Sequence, residues 1–455
     1  MLINFRKNFN CCKTVGCANF GKTENVDYIQ QSERLGYVST GCELCGSHAP
    51  WINNELVNKV LKEKTLFHFG RKLTGCPKCH PYFFLTEPSP AKLHGFTSAG
   101  TQRKKCSQCN TVFSLQNYKK IAVLKRVLNS VLKHHDTKTA IKETQLSARL
   151  YYFYLDKLAR ILGNFSRIRE QLNIQDKHLV IHSEGRSFKL EHHRGVYTLL
   201  SAEGDSGYIL LQTNNMTQDH FDACFIYNET KDTMIKSIYS DNIENVLIDR
   251  YQQNLQRNHF EQLIIGDLRP ITKCSLIYPD KVAYIHFQLL KGFTQKVESY
   301  THIIEHESTL RAGALMACDA DIRQKKAEVY FFVEYPKKAA THWALAGKGL
   351  GWWKDTWHSN ELGAYSPITP ALTKPSHLAL LQSQSIERFY DYLEANMNKK
   401  INSMSVIDNV FEIHRVIYNY CELHHAKSAA FSFSLATKNY SAEELLDEAL
   451  QVVMA

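Results

Sequence analysis

The chain has 455 residues, 44% of them hydrophobic and 22% charged, which suits two to four folded domains and excludes wholesale disorder. Lysine and arginine outnumber the acids 55 to 45, a formal charge of +10; that excess suits a polyanionic partner and says nothing about fold. No apolar run approaches the roughly 20 residues that cross a bilayer, and the opening MLINFRKNFNCCKT lacks the apolar core of a secretory leader. A cytoplasmic protein without a membrane partner is therefore expected.

Nine of the thirteen cysteines precede residue 110. In a reducing compartment such clustering points to metal ligation rather than disulfides. Residues 1–60 form a first module with Cys12, Cys17, Cys42 and Cys45 as ligands; Cys11 competes with Cys12, and His48 is close enough to substitute. Residues 61–116 carry a second quartet, Cys76, Cys79, Cys106 and Cys109, with His80 as a nearby substitute. Two cysteine knuckles brought together close a tetrahedral four-thiolate site with no open position. Two structural Zn2+ ions are expected, each replacing a core that such short segments cannot build. Cys224, Cys274, Cys318 and Cys421 are scattered and read as core residues.

From Arg103 to Arg169 the chain carries fifteen Lys or Arg against three acids, Asp136, Glu143 and Asp156. Apolar residues from Ile121 to Leu132 recur at helical spacing. A short helix fits Thr137 to Glu143, capped by Asp136, and a third fits Leu146 to Leu162. A short second helix before a longer basic third suits a helix-turn-helix over 117–172, whose third helix would enter a major groove. A solvated basic hairpin is the plainer reading. Arg103, Lys104, Lys105, Arg149, Lys157 and Arg160 are the candidate contacts to double-stranded DNA, most of them to phosphates and Arg149 to base edges.

Residues 173–455 read as a mixed α/β body. Strands are expected at 178–182, 187–190, 196–201, 208–212 and 328–333, and helices at 308–323, 376–400 and 406–422. The stretch 214–280 has no clear period and reads as an insertion or a poorly legible helical part. No internal repeat, P-loop or dinucleotide fingerprint is present.

Three segments carry a resemblance. GFTSAGTQRKKCSQCNTVFSL looks like the second half of the zinc ribbon that opens bacterial insertion-sequence transposases. IIEHESTLRAGALMACDADIRQKKAEVYFFV is similar to the part that follows their second catalytic acid. HRVIYNYCELHHAKSAAFSFSLATKNYSAEELL resembles their end, where an Arg and a Tyr-Asn pair lead to a short turn and a closing helix. The resemblance implies a multidomain α/β protein: zinc ribbons, a helix-turn-helix, then an RNase H-like mixed-sheet domain whose three carboxylates hold Mg2+ for DNA strand cleavage and transfer. A homo-oligomer is also expected. Where the family has its first Asp, this chain has His182-Ser183-Glu184; at the second it has Glu305-His306-Glu307; the third falls to Glu387, with Glu394 as competitor.

On that reading Glu184, one of Glu305 or Glu307, and Glu387 converge within metal-bridging distance. Glu203 and Asp205 belong to a glycine-rich turn, the pairs His192/His193 and His424/His425 lack cysteine partners, and Trp352, Trp353 and Trp357 pack under a loop or stack on bases. Three functions fit: a transposase, a DNA-binding regulator or defence factor that kept the architecture without the catalysis, and an RNA-binding protein.

Overall fold

A computed structural model describes residues 5–24, 26–33, 37–70, 75–79, 90–98, 100–114, 120–174, 178–192, 194–218, 243–256, 274–334, 348–350, 355–359, 363–370, 384–401 and 403–454. The chain is mixed α/β and separates into two compact units, each discontinuous in sequence: 62–175 with 389–455, and 5–61 with 176–388.

The unit containing 176–388 is built on an eight-stranded mixed sheet. Its strands are β1 (His178–Lys189), β2 (Gly195–Glu203), β3 (Ile209–Asn214), β4 (Ser299–Glu305), β5 (Ala327–Glu334), β6 (Lys348–Leu350), β7 (Asp355–Ser359) and β8 (Gly363–Pro367). They lie in the order β6-β7-β8-β5-β4-β1-β2-β3. β1, β2 and β3 are an antiparallel meander, β4 runs parallel to β1, and β5 runs parallel to β4. Every residue of β2 and β3 is buried, in keeping with their runs of Leu, Ile and Val.

The two strands expected at 178–182 and 187–190 are one. Polar residues at 183–187 break the apolar alternation, but the backbone ladder does not depend on side-chain polarity, and Ser183 through Ser187 pair residue by residue with β2.

Parallel neighbours need a crossover. Helix Pro279–Thr294 precedes β4, and helix Ser308–Arg323 joins β4 to β5. The two helices meet at Gly313, where an added Cβ would lie 2.8 Å from the backbone carbonyl carbon of Ala283. Glycine inside a helix ordinarily costs about 1 kcal/mol relative to alanine. Here Gly313→Ala is instead expected to destabilise by about 1–3 kcal/mol through overpacking. A thermal midpoint at or above that of the wild type would contradict this close approach.

Within 214–280 the described residues include helix Ile243–Gln256 and a short antiparallel pair, Met216–Thr217 with Ser275–Leu276; residues 219–242 and 257–273 lie outside the described residues.

Residues 5–61 belong to this same unit. Their three-stranded sheet (Tyr28–Ser32, Ser39–Cys42, His48–Pro50) is joined to helix Ser308–Arg323 by side chains from the chain's start. Arg6 donates to Asp319 at 2.7 Å and to the Gly21 carbonyl at 2.6 Å, while Arg323 donates to the Phe20 carbonyl at 2.8 Å. Phe9 packs on Tyr284 with ring centroids 5.0 Å apart.

The other unit combines a three-stranded sheet (Ala91–Phe96, Gln102–Cys106, Val112–Ser114) with helices Ile121–Leu132, Thr137–Thr144, Ala148–Asn173, Met404–Cys421 and Ala442–Met454. Asp136 caps the short helix by accepting from the Thr139 amide at 2.8 Å, as expected, and Ser147 caps the next. That third helix runs to Asn173, not to Leu162. Gly163 and Asn164 are poor helix formers and read as a terminus, yet the apolar stripe continues through Phe165, and the carboxylate of Glu412 comes close to Gly163. The helix expected at 376–400 is described over Gln384–Asn396, and the one expected at 406–422 spans Met404–Cys421.

Candidate functional site

A cavity of about 350 Å³ opens where β4 ends against β1, lined by Glu184, Arg186, Arg250, Glu305 and Glu387 among others. Parallel pairing sets Ile304 beside Ser183, so the next residues, Glu305 and Glu184, are neighbours at the edge of the β1–β4 ladder. Glu387 comes from the first turn of helix Gln384–Asn396. The start of that helix is held near the β2–β3 turn, where Gly207, at φ +70°, leaves room for Ser385. Three of the acids singled out in the sequence thus face one cavity.

Glu307 does not line this cavity. It is two residues past Glu305, in the N-cap position of helix Ser308–Arg323, where its backbone carbonyl accepts from Leu310 and Arg311. Glu394 is ion-paired with Lys399 in the other unit.

The carboxylates are held by guanidinium groups. Arg186 donates through Nε to Glu184 at 3.1 Å and through Nη2 to Glu387 at 3.0 Å, and Arg250 lies 3.4 Å from Glu305. Burial and the neighbouring Glu305 charge push the Glu184 carboxyl up, against the pull of Arg186. Burial likewise raises Glu305 despite Arg250, and lowers His182 in the cavity wall to about 4, so that imidazole is neutral at physiological pH.

A Mg2+ ion needs oxygens about 2.0–2.1 Å away in near-octahedral array. Among the described residues, the groups of three or more His, Cys, Asp or Glu whose ligand atoms lie within 4.8 Å of one another are the two cysteine quartets; the three glutamates do not form one. With Arg186 between two of them, the acids as arranged do not fit a bridged magnesium pair.

The cysteines do fit a metal. The first quartet is Cys12, Cys17, Cys42 and Cys45; the second is Cys76, Cys79, Cys106 and Cys109. Sulfur–sulfur distances of 3.6 Å (Cys12–Cys45), 3.9 Å (Cys17–Cys42) and 3.6 Å (Cys76–Cys109) match the roughly 3.8 Å edge of a tetrahedron with 2.3 Å metal–sulfur bonds. Both C-terminal knuckles use the same turn. The Gly46 amide donates to the Cys42 carbonyl at 2.8 Å, and the Asn110 amide to the Cys106 carbonyl at 3.0 Å. Gly46 and Asn110 both take positive φ, +69° and +57°, which glycine and asparagine tolerate best.

The choice between Cys11 and Cys12 falls to Cys12. Cys11 is buried against Met316, 3.2 Å from its sulfur. His48 lies beside Ser39 and outside the quartet, and His80 lies outside the described residues.

Arg103, Lys104 and Lys105 lie on one strand of the second small sheet, and Lys92, which the sequence does not single out, is directly opposite Lys105. Arg149 is exposed on the first turn of helix Ala148–Asn173, next to exposed Leu150, Tyr152 and Phe153. Lys157 and Arg160 have partners on their own helix: Lys157 sits over the Phe153 ring at 5.7 Å, and Arg160 pairs with Asp156 at 2.6 Å.

Glu203 closes its turn by accepting from the amides of Asp205 and Ser206, as expected. Trp357 is a core residue that donates to the Tyr251 hydroxyl at 3.0 Å. Cys274 and Cys318 are buried and Cys421 is partly so; Cys224, His193, Trp352 and Trp353 lie outside the described residues.

Sequence reasoning does not find Arg186 or Arg250. Residues two apart on a strand share a face, so Arg186 is discoverable beside Glu184; nothing local marks Arg250. No helix among the described residues is long and apolar enough to cross a membrane. Comparisons with models of protein families, with curated proteins and with solved structures found no match to this chain.

Proposed function

We propose that this chain is a DNA-binding protein of the transposase type, with two zinc-bound cysteine modules, a helix-turn-helix and an RNase H-like body. The observation that carries the reading is the strand order β3-β2-β1-β4-β5, an antiparallel meander extended by two parallel strands, with acids on the two central neighbours and a third on a later helix. A mixed sheet with three carboxylates, at strand ends and on a helix, is what the resemblance implies for a phosphoryl-transfer site. The capped short helix followed by the long helix bearing exposed Arg149 supports major-groove binding. The basic strand Gln102–Cys106 supports phosphate contacts. The thiolate quartets suit Zn2+, which would close each knuckle pair and supply no reactive position.

The test is a fluorescence-anisotropy titration of the full chain with a mixed-sequence duplex over a salt series. Affinity should fall log-linearly with salt, with a slope of about −0.9 per phosphate neutralised. Replacing Arg103, Lys104 and Lys105 together by alanine should weaken binding and flatten that slope. Salt-independent binding, or none at low salt, would sink the reading. Strand cleavage is assayed on the same DNA with Mg2+ or Mn2+, against Glu184→Gln. A second reading, a binder that kept the architecture without the chemistry, is favoured by the Arg186 bridge between Glu184 and Glu387. Cleavage lost in Glu184→Gln would exclude it.

A further inference from the structure

β1 carries an acid and a base two residues apart, so Glu184 and Arg186 share the face that opens into the cavity. Gly185 between them allows the Tyr197 hydroxyl to approach to 1.9 Å from where a Cβ would stand. The Arg186 fork then reaches in two directions at once, Nε to its own strand's Glu184 and Nη2 to Glu387 on the helix. Both contacts are charge-assisted hydrogen bonds at the mouth of the cavity, where the Arg186 side chain remains 36% exposed. The third acid, Glu305, has its own cation in Arg250. A divalent ion shared by Glu184 and Glu387 would have to stand where the guanidinium stands.

We propose that Arg186 is the resident cation of this cavity, holding Glu184 and Glu387 together in place of a divalent metal, and that its removal opens a cation site closed in the wild type. The inference rests on reading these acids as the set a phosphoryl transferase would use. It is independent of whether the protein binds DNA.

The contrast with a metal is chemical as well as geometric. A guanidinium does not lower the pKa of a bound water as a divalent ion does, and it cannot be chelated away. A cavity built this way holds no ion of its own for a chelator to remove and takes up no added Mg2+. It also loses both carboxylate contacts when one side chain changes.

The test uses the zinc-loaded full chain and Mn2+ alone as the probe, read by electron paramagnetic resonance and calorimetry. Mn2+ prefers oxygen ligands, so the thiolate quartets do not compete for it. Wild type is expected to show no saturable Mn2+ binding at the cavity. Arg186→Gln should bind at least about tenfold tighter, a difference of about 1.4 kcal/mol, and the double variant Glu184→Gln/Arg186→Gln should lose that gain. Wild-type binding equal to that of Arg186→Gln, or a folded Arg186→Gln that binds no Mn2+, would overturn the proposal. Should Arg186→Gln fail to fold, wild type decides: saturable Mn2+ binding abolished by Glu184→Gln overturns the proposal, and its absence upholds it. A failure of DNA binding would leave these measurements untouched, so the two readings fail separately.

Discussion

Removing a ligand of the first quartet, as in Cys42→Ser, is expected to unfold the whole unit that carries the glutamate cavity. The reason is where residues 5–61 are anchored. Arg6 bonds Asp319 and Gly21, Arg323 bonds the Phe20 carbonyl, and Cys11 packs on Met316. At Gly21 an added Cβ would stand 2.5 Å from the Asp319 carboxylate, so the module and the helix Ser308–Arg323 are in intimate contact. Structural zinc contributes roughly 10–16 kcal/mol of apparent binding free energy to small metal-folded domains, whereas a whole domain is stable by only about 5–15 kcal/mol. A module that melted on losing a bound metal would therefore strip one face from two crossover helices. Circular dichroism and urea titration of Cys42→Ser, or of wild type treated with a chelator, should show loss of the cooperative α/β transition. Cys106→Ser, which breaks the second quartet in the other unit, should leave that transition in place. A Cys42→Ser protein with an unchanged midpoint would refute this coupling.

Arg415→Ala should destabilise the other unit by about 3–5 kcal/mol, the usual result of stranding a buried charge. Arg415 is fully buried, and donates to Glu412 at 2.6 and 3.0 Å and to Ser166 at 3.2 Å. Glu170 lies 3.6 Å from it and also accepts from Arg167 at 2.7 Å. Burial alone would push the Glu412 carboxyl up, but Arg415 and then Arg167 override it and hold it down at about 2. A depressed carboxyl contributes stability above its ordinary pKa and loses it as pH falls through the folded-state value. The wild-type contribution is thus present at neutral pH and declines between about 4.5 and 2. Arg415→Ala should remove it at neutral pH and flatten the acid limb in that window. Arg415→Met with Glu412→Leu, which removes both charges, should recover much of the loss. If the single variant unfolds in urea within about 1 kcal/mol of wild type, the network does not carry this weight.

Features encoded in adjacent residues are legible in the sequence itself. Cysteine spacing marks both quartets, and Asp136 marks its helix because capping is local chemistry. Helix Ser308–Arg323 is legible to the residue. Helix Pro279–Thr294 is not, because nearly all of its residues are buried and burial on every side erases the 3.6-residue period. β1 reads as two strands because its cavity-lining residues are polar, so the strand is least recognisable where it lines the cavity. Glu184, Glu305 and Glu387 are named by resemblance, while the choice of Glu305 over Glu307 needs the end of β4. Arg250 cannot be foreseen, since only tertiary packing brings it to Glu305, 55 residues along the chain.

The bond between Arg6 and Asp319 spans 313 residues, and this sets an order of events on the ribosome. At roughly 5–20 residues per second, the first knuckles emerge about 15–60 s before the helix that receives them. Through that interval the module lacks the helix it docks on, so an ion captured early would let it fold first and wait as a preformed partner. The body would then complete itself around that module, and metal supply during translation would decide how much chain reaches the native state.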